Sequence, residues 1–200
     1  MLPYNPKSTD SIVNYAKKLK DKTLREACGH NTVFEKVDGK GEFGILLEKY
    51  YFGIVPNSDP NPDFPDAEPG GGLELKSTGL SSYKGNKGYK VKERLALKNI
   101  NFHLIHNESF IKGSLFKKVN NLLLVFYIWD NKKREEELLI KLVDTWTIPD
   151  EDINFIIHDY NIIINKIKKG LAHKLSGSDT NYLEAATTGG GHGKLVSQPF

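Results

Sequence analysis

Pro62-Asp63-Phe64, a turn-rich interval, and then Gly72-Leu73-Glu74-Leu75-Lys76-Ser77-Thr78 form the stretch around which this chain is organised. From Leu73 to Ser77 apolar and polar residues alternate, the period of a strand with one face on a core and the other open. Glu74 and Lys76 are two residues apart and point to one face, while Leu73 and Leu75 anchor the other. A carboxylate and an ammonium on one rigid edge, with Asp63 upstream, suit metal-assisted hydrolysis of a phosphodiester. Unaided, such esters hydrolyse extremely slowly, so the barrier reduction required is very large. A divalent ion neutralises the phosphate, orients a water and lowers that water's pKa. Magnesium takes hard oxygens, usually one or two carboxylates with waters and substrate phosphate. Asp63 and Glu74 can supply the carboxylates and the Leu75 carbonyl a further oxygen. Lys76 would position the water or stabilise developing negative charge. The plain alternative for Glu-x-Lys on a strand is a solvated face carrying a weak ion pair.

Three segments in order, Gly39-Lys40-Gly41-Glu42-Phe43-Gly44-Ile45-Leu46-Leu47-Glu48, Pro62-Asp63 and the run from Gly72 to Thr78, resemble the MutH-like branch of the PD-(D/E)xK nucleases. That branch includes the mismatch-repair nicking enzyme and type II restriction endonucleases that cut at GATC. Tyr89-Lys90-Val91-Lys92-Glu93-Arg94-Leu95, and Gly170-Leu171-Ala172-His173-Lys174-Leu175-Ser176 through Tyr182-Leu183, resemble the restriction members more than the repair enzyme. The resemblance runs through most of the chain. It implies an α/β, restriction-endonuclease-like core with a mixed central sheet flanked by helices. It also implies catalytic roles for Asp63, Glu74, Lys76 and Glu48, with Asp63, Glu74 and Leu75 at a Mg2+ ion that Mn2+ can replace. Double-stranded DNA is the implied substrate. One departure is the long interval between Asp63 and Glu74, whose surplus is Glu68-Pro69-Gly70-Gly71-Gly72. Asp66 lies nearer Glu74 and competes for the aspartate role. Asp63 is preferred because it follows Pro62 as the motif requires, and extra loop costs little entropy.

The 200 residues are read as one catalytic domain, 1–200, long enough for a real core. Charged residues form 26% and hydrophobic residues 38%, a globular rather than disordered balance. No apolar run approaches the roughly 20 residues needed to span a bilayer. The start lacks a signal-peptide pattern, and the lone Cys28 excludes a disulfide or cysteine zinc site within the chain, so a cytoplasmic location is expected. Net charge is only +3, but its distribution is uneven. Lys84, Lys87, Lys90, Lys92, Arg94 and Lys98 face Glu93 alone, just after a stretch where Asp59, Asp63, Asp66, Glu68 and Glu74 face only Lys76. An acidic pocket beside a basic flank is what a metal-dependent enzyme on a polyanion needs. Lys40, Lys84, Lys92 and Arg94 are the DNA-contact candidates here; the alternative is a solvated lysine-rich loop.

Ser8 offers a cap to a helix carrying Ile12, Val13, Ala16 and Leu19, and Thr23 to Gly29 reads as a short second helix. Gly41 to Phe52 reads as a helix with Phe43, Leu46, Leu47, Tyr50 and Tyr51 on one stripe. Glu48 on so apolar a helix is costly unless paired or metal-linked, and the resemblance takes it to the active site; a salt bridge to Lys49 or another lysine is the alternative. Gly79 to Gly88 reads as a turn-rich loop, with the next strand beginning around Arg94-Leu95-Ala96-Leu97 and Ile100-Asn101-Phe102. His103 and His106 are read as partly exposed histidines rather than metal ligands. Leu122 to Trp129 is expected as a central strand buried on both faces, and Leu138 to Trp146 as its hairpin partner. Pro149-Asp150-Glu151-Asp152 opens a helix closed by Lys166, Lys168, Lys169 and Gly170, with acid at its positive end.

Gly189 to Lys194 fails as a phosphate-binding loop: Thr188 occupies the first glycine position, Leu195 replaces the Ser/Thr, and no strand feeds it. The resemblance instead makes Thr187, Thr188 and His192 groove-contact candidates. Restriction relatives carry a second half beyond this point, so the chain is expected to be the N-terminal half of a longer protein. Either a C-terminal DNA-binding half is missing or two copies associate; no membrane partner is expected. The first expectation is a Mg2+-dependent type II DNA endonuclease cutting at GATC. The alternatives are a nicking enzyme working with repair partners and a non-catalytic DNA-binding module.

Overall fold

The computed structural model describes residues 2–37, 41–55, 57, 59–83, 85, 88–100, 105 and 108–185. Two compact units emerge: Met1–Lys98 with Ser109–Ile148, and Asn99–Glu108 with Pro149–Phe200.

In the first unit, Ser8 caps α1 (Thr9–Ala16) by accepting the Ser11 N–H at 3.3 Å. A 3-10 turn, Lys17–Leu19, extends it. Thr23 and Glu26 form a reciprocal capping box on α2 (Leu24–Cys28), which Gly29 ends at φ 97°. The third helix changes pitch. It begins as α3 (Glu42–Leu46) and continues as a wider π-helical turn, Leu47–Phe52. The widening lets adjacent Tyr51 and Phe52 both bury, which a regular helical stripe through Tyr50 and Tyr51 does not; Tyr50 is only half-buried. Glu48 sits at the start of that turn, and its carbonyl accepts from Gly53 and Ile54.

The sheet has the order β2-β1-β3-β4. β1 (Glu74–Ser82) lies parallel to β3 (Asn121–Ile128), with Glu74 opposite Leu122 and Lys76 opposite Leu124. β4 (Ile140–Thr147) returns antiparallel to β3, as the hydrophobic run and its charged turn predict. The sheet is therefore mixed, and with its helices the unit is α/β. One expectation changes on the other side. Gly79 to Gly88 is not all loop: β1 runs on to Ser82 and pairs antiparallel with β2 (Tyr89–Val91). Residues 94–100 then have no regular structure, so no strand begins at Arg94, and 101–102 lie outside the described residues. Tyr89-Lys90-Val91 does alternate, but over only three residues, and its one lysine is what an exposed edge strand tolerates. β3 is central as expected, with Leu123 and Val125 fully buried, although Leu124, Phe126 and Ile128 are only half-buried on its second face. The core joins α1, α2, α3 and the π turn to the odd-numbered residues of β3 and to Ile140 and Val143 of β4. α4 (Ser114–Val119) leads directly into β3.

In the second unit, α5 (Ile153–Lys168) buries Ile156, Tyr160, Ile163, Ile164 and Ile167, and Gly170 follows at φ 70°. The acids stand before the helix rather than in its first turn, and Asp152 makes no capping bond. Its carboxylate accepts instead from the Tyr182 hydroxyl at 2.7 Å. Asp159 is buried and accepts three backbone N–H bonds, from Asn181, Tyr182 and Leu183, at 2.6–3.1 Å. Lys166 turns inward to Asp179 at 2.6 Å.

Candidate active site

The Pro-Asp segment and the Glu-x-Lys strand meet as two rungs of a short antiparallel ladder. Phe64 and Leu73 exchange backbone bonds, each 3.0 Å. One step on, the side chains take over. The Asp63 N–H donates to Glu74 Oε2 at 3.2 Å, and the Leu75 N–H donates to Asp63 Oδ2 at 2.9 Å. The Asp63 backbone thus holds the Glu74 carboxylate, and the Leu75 backbone holds the Asp63 carboxylate. A strand residue's N–H and C=O project toward the same edge, so the Leu75 carbonyl shares the Asp63 side of β1. Asp66 is exposed and takes no part in this ladder.

Glu74 is 1% exposed, against the open face expected for it. What makes its burial tolerable is two ammoniums on one oxygen: Lys76 Nζ at 2.6 Å and Lys118 Nζ at 3.3 Å from Oε1. Lys76 and Glu74 share a face as their spacing requires. Lys118 comes from α4, and nothing local in the sequence points to it, because its partner lies 44 residues away.

Glu48 reaches the same group. Gly44, one turn earlier, lets α3 lie so close to β1 that a Cβ there would stand 3.2 Å from Ser77 Oγ. Burial pushes the Glu48 carboxyl up to about 7; Asp63 and Glu74 add to this, and Lys76 and Lys118 oppose it. Asp63 is held up to about 6, first by burial and then by Glu74, against the Leu75 N–H and the two lysines. Glu48 is not neutralised by Lys49, whose ammonium pairs with Glu35 at 2.6 Å. Two carboxylic acids poised near neutrality beside a third carboxylate and two lysines are an arrangement that a cation would complete.

The donor set suits a hard divalent ion: Asp63 Oδ1 is not used by the Leu75 bond, Glu74 is adjacent, and the Leu75 carbonyl faces the same side. Among the described residues no three acids, histidines or cysteines form a ready-made cage. Such an ion would be held by two carboxylates and a carbonyl, the acid count magnesium commonly takes.

The basic flank is placed in part. Lys92 is exposed on the residue after β2, stacks over Trp129 with its Nζ 4.2 Å from the ring, and pairs with Glu93 at 2.8 Å. Lys90 lies 5.9 Å over exposed Tyr83. Arg94 is exposed. Lys40, Lys84, His103, His106, Thr187, Thr188 and His192 lie outside the described residues. No helix among the described residues is long and apolar enough to cross a membrane.

Comparison with known proteins agrees with this geometry. The type II restriction enzyme Sau3AI of Staphylococcus aureus is 32% identical over 192 residues, covering 95% of this chain and 37% of the relative. The chain thus spans little more than a third of that relative's length. The family model described as DNA mismatch repair enzyme MutH matches residues 52–159, more than half of the chain and the part that carries Asp63, Glu74, Lys76 and Lys118. On that match, and with the two acids and the lysine drawn together as the motif requires, the chain belongs to the MutH family.

Proposed function

We propose that this chain is the catalytic part of a type II restriction endonuclease that hydrolyses phosphodiester bonds of double-stranded DNA at GATC, using Mg2+. The observation that carries the reading is the clasp of Asp63 and Glu74 with Lys76 on the same carboxylate. The similarity to a type II restriction enzyme over 95% of the chain supports the choice of restriction chemistry.

Asp63, Glu74 and the Leu75 carbonyl would hold the metal. When bound, it neutralises the phosphate and acidifies a water. Lys76, whose ammonium lies on the Glu74 carboxylate at the same site, would orient the attacking water or stabilise charge on the phosphate oxygens. Lys118 gives Glu74 a second ammonium partner, 3.3 Å from Oε1. Glu48, with a carboxyl near 7, can accept a proton at neutral pH as the water loses it. Water adds to phosphorus, one P–O bond breaks, and the leaving oxygen takes up a proton. Lys92 and Arg94 supply cationic contacts to the backbone flanking the site.

The test is end-labelled duplex with and without GATC, incubated with protein and magnesium. Cleavage confined to the GATC duplex is expected; no cleavage with magnesium or manganese, alongside retained DNA affinity, would leave a binding module instead. The family model's match favours one rival, a strand-nicking repair endonuclease. Short duplexes without partner proteins separate the two, since robust cutting of both strands belongs to restriction.

A further inference from the structure

The extra residues between Asp63 and Glu74 are tied down at both ends. Asn121, the first residue of β3, donates its Nδ2 to the Gly70 carbonyl and, at 3.3 Å, to that of Gly72. The neighbouring Leu122 is the register partner of Glu74, so one corner of β3 holds both the loop's exit and the acid that follows it. Fit is tight there. A Cβ on Gly70, already at φ 125°, would stand 2.7 Å from Asn121 Nδ2. On the far side the segment before α1 adds a parallel bridge. The Glu68 N–H donates to the Lys7 carbonyl at 3.1 Å, the Thr9 N–H to the Glu68 carbonyl at 3.0 Å, and Thr9 Oγ1 to the Pro69 carbonyl at 2.9 Å. A glycine-rich loop without such ties would sample many conformations. The Phe64–Leu73 bridge would then be left to hold Asp63 beside Glu74 with a mobile loop behind it.

We propose that Asn121, assisted by Thr9, is a positioning residue for the metal site: by fixing Gly70 to Gly72 it holds Asp63 in register with Glu74. The inference rests on the nuclease reading above. Groups that orient metal ligands typically change metal affinity by roughly 10–100-fold when removed.

The test compares wild type with Asn121→Leu, similar in size but without the amide donor, and with Thr9→Val on the opposite tie. Magnesium is titrated into each protein calorimetrically, and the magnesium giving half-maximal cleavage is read on a GATC duplex. Asn121→Leu is expected to raise both values roughly tenfold, and Thr9→Val to raise them less. DNA affinity without divalent ions and the melting temperature should hardly move. Amide exchange at Asp63 and Leu75, whose N–H groups bond the two carboxylates, should quicken in both variants. Should Asn121→Leu fail to fold, Thr9→Val carries the same readouts. Unchanged magnesium affinity and amide exchange in a cleaving, folded variant would overturn the inference alone. A parallel fall in magnesium binding, metal-free DNA binding and melting temperature would reduce Asn121 to a structural part and also overturn it. A wild type that takes up no magnesium would sink the nuclease reading and this inference with it.

Discussion

Glu74 is where the chemistry of this chain is most exposed to test. It is buried, and its Oε1 is shared by two lysines. Glu74→Gln keeps the shape and removes the charge, so cleavage should fall by at least about 100-fold while circular dichroism stays native, as should cleavage by Lys76→Ala. Normal cutting by either variant would reject the assigned roles. The raised carboxyls set a pH signature. The proposed mechanism uses Asp63 and Glu48 ionised, so cleavage should climb as pH rises through about 6 to 7, with a midpoint that moves down as magnesium increases. Stability runs the other way. The ordinary carboxyl values of 3.8 and 4.5 hold in the unfolded chain, so between those values and about 6 and 7 the folded protein binds more protons than the unfolded one. The stabilisation from the neutral carboxyls is therefore full below about pH 4 and is lost as pH rises through about 6 and 7. Melting temperature in chelator should decline across that window, and Glu48→Gln should flatten the decline. Glu74 and Lys76 were legible because a two-residue period needs no tertiary information. Lys118 was not, since no local pattern marks a helical residue whose partner lies on a strand 44 residues away.

At the scale of elements, the wide π-helical turn and Gly44 together aim Glu48 at β1. Gly44→Ala places a methyl 3.2 Å from Ser77 Oγ and should push α3 outward. Activity should drop more than stability, by roughly tenfold, read as kcat on a GATC duplex against melting temperature. Asp159 makes a contrasting prediction. Asp159→Ala orphans three backbone N–H groups and should cost about 2–4 kcal/mol in the stability of its unit, with faster amide exchange at 181–183. Helix ends were readable from Ser8, Thr23 and Gly170, whose capping chemistry is local. The pitch change at Leu47 was not, because burying both Tyr51 and Phe52 is a demand of the core. The β1–β2 hairpin was hidden for a related reason: an edge strand of three residues, Tyr89-Lys90-Val91, is too short for its alternation to be read.

For the molecule as a whole, the proposed function gives one clasp and so one cut per chain, and a two-fold symmetric target asks for two. A supercoiled plasmid carrying one GATC should therefore pass through an open-circular intermediate at low protein concentration. That intermediate should vanish as concentration rises if two copies assemble on the site. Persistence of the circle at every concentration would favour the nicking activity instead. The β3–β4 hairpin was visible in advance through the run Leu122 to Trp129 and its return, since a hydrophobic strand announces itself by composition, whereas the mixed sheet was expected from the family resemblance. The partition into two compact units was not, because Asn99–Glu108 joins Pro149–Phe200 across a long gap in sequence.

Lys76 and Lys118 already lend Glu74 the positive charge an ion would bring. The fold therefore does not wait on its cofactor, unlike small domains that collapse only around a metal. Stripping divalent ions should silence the protein without unravelling it, and returning them should restore cutting within mixing time, a reversible idle state written into two side chains.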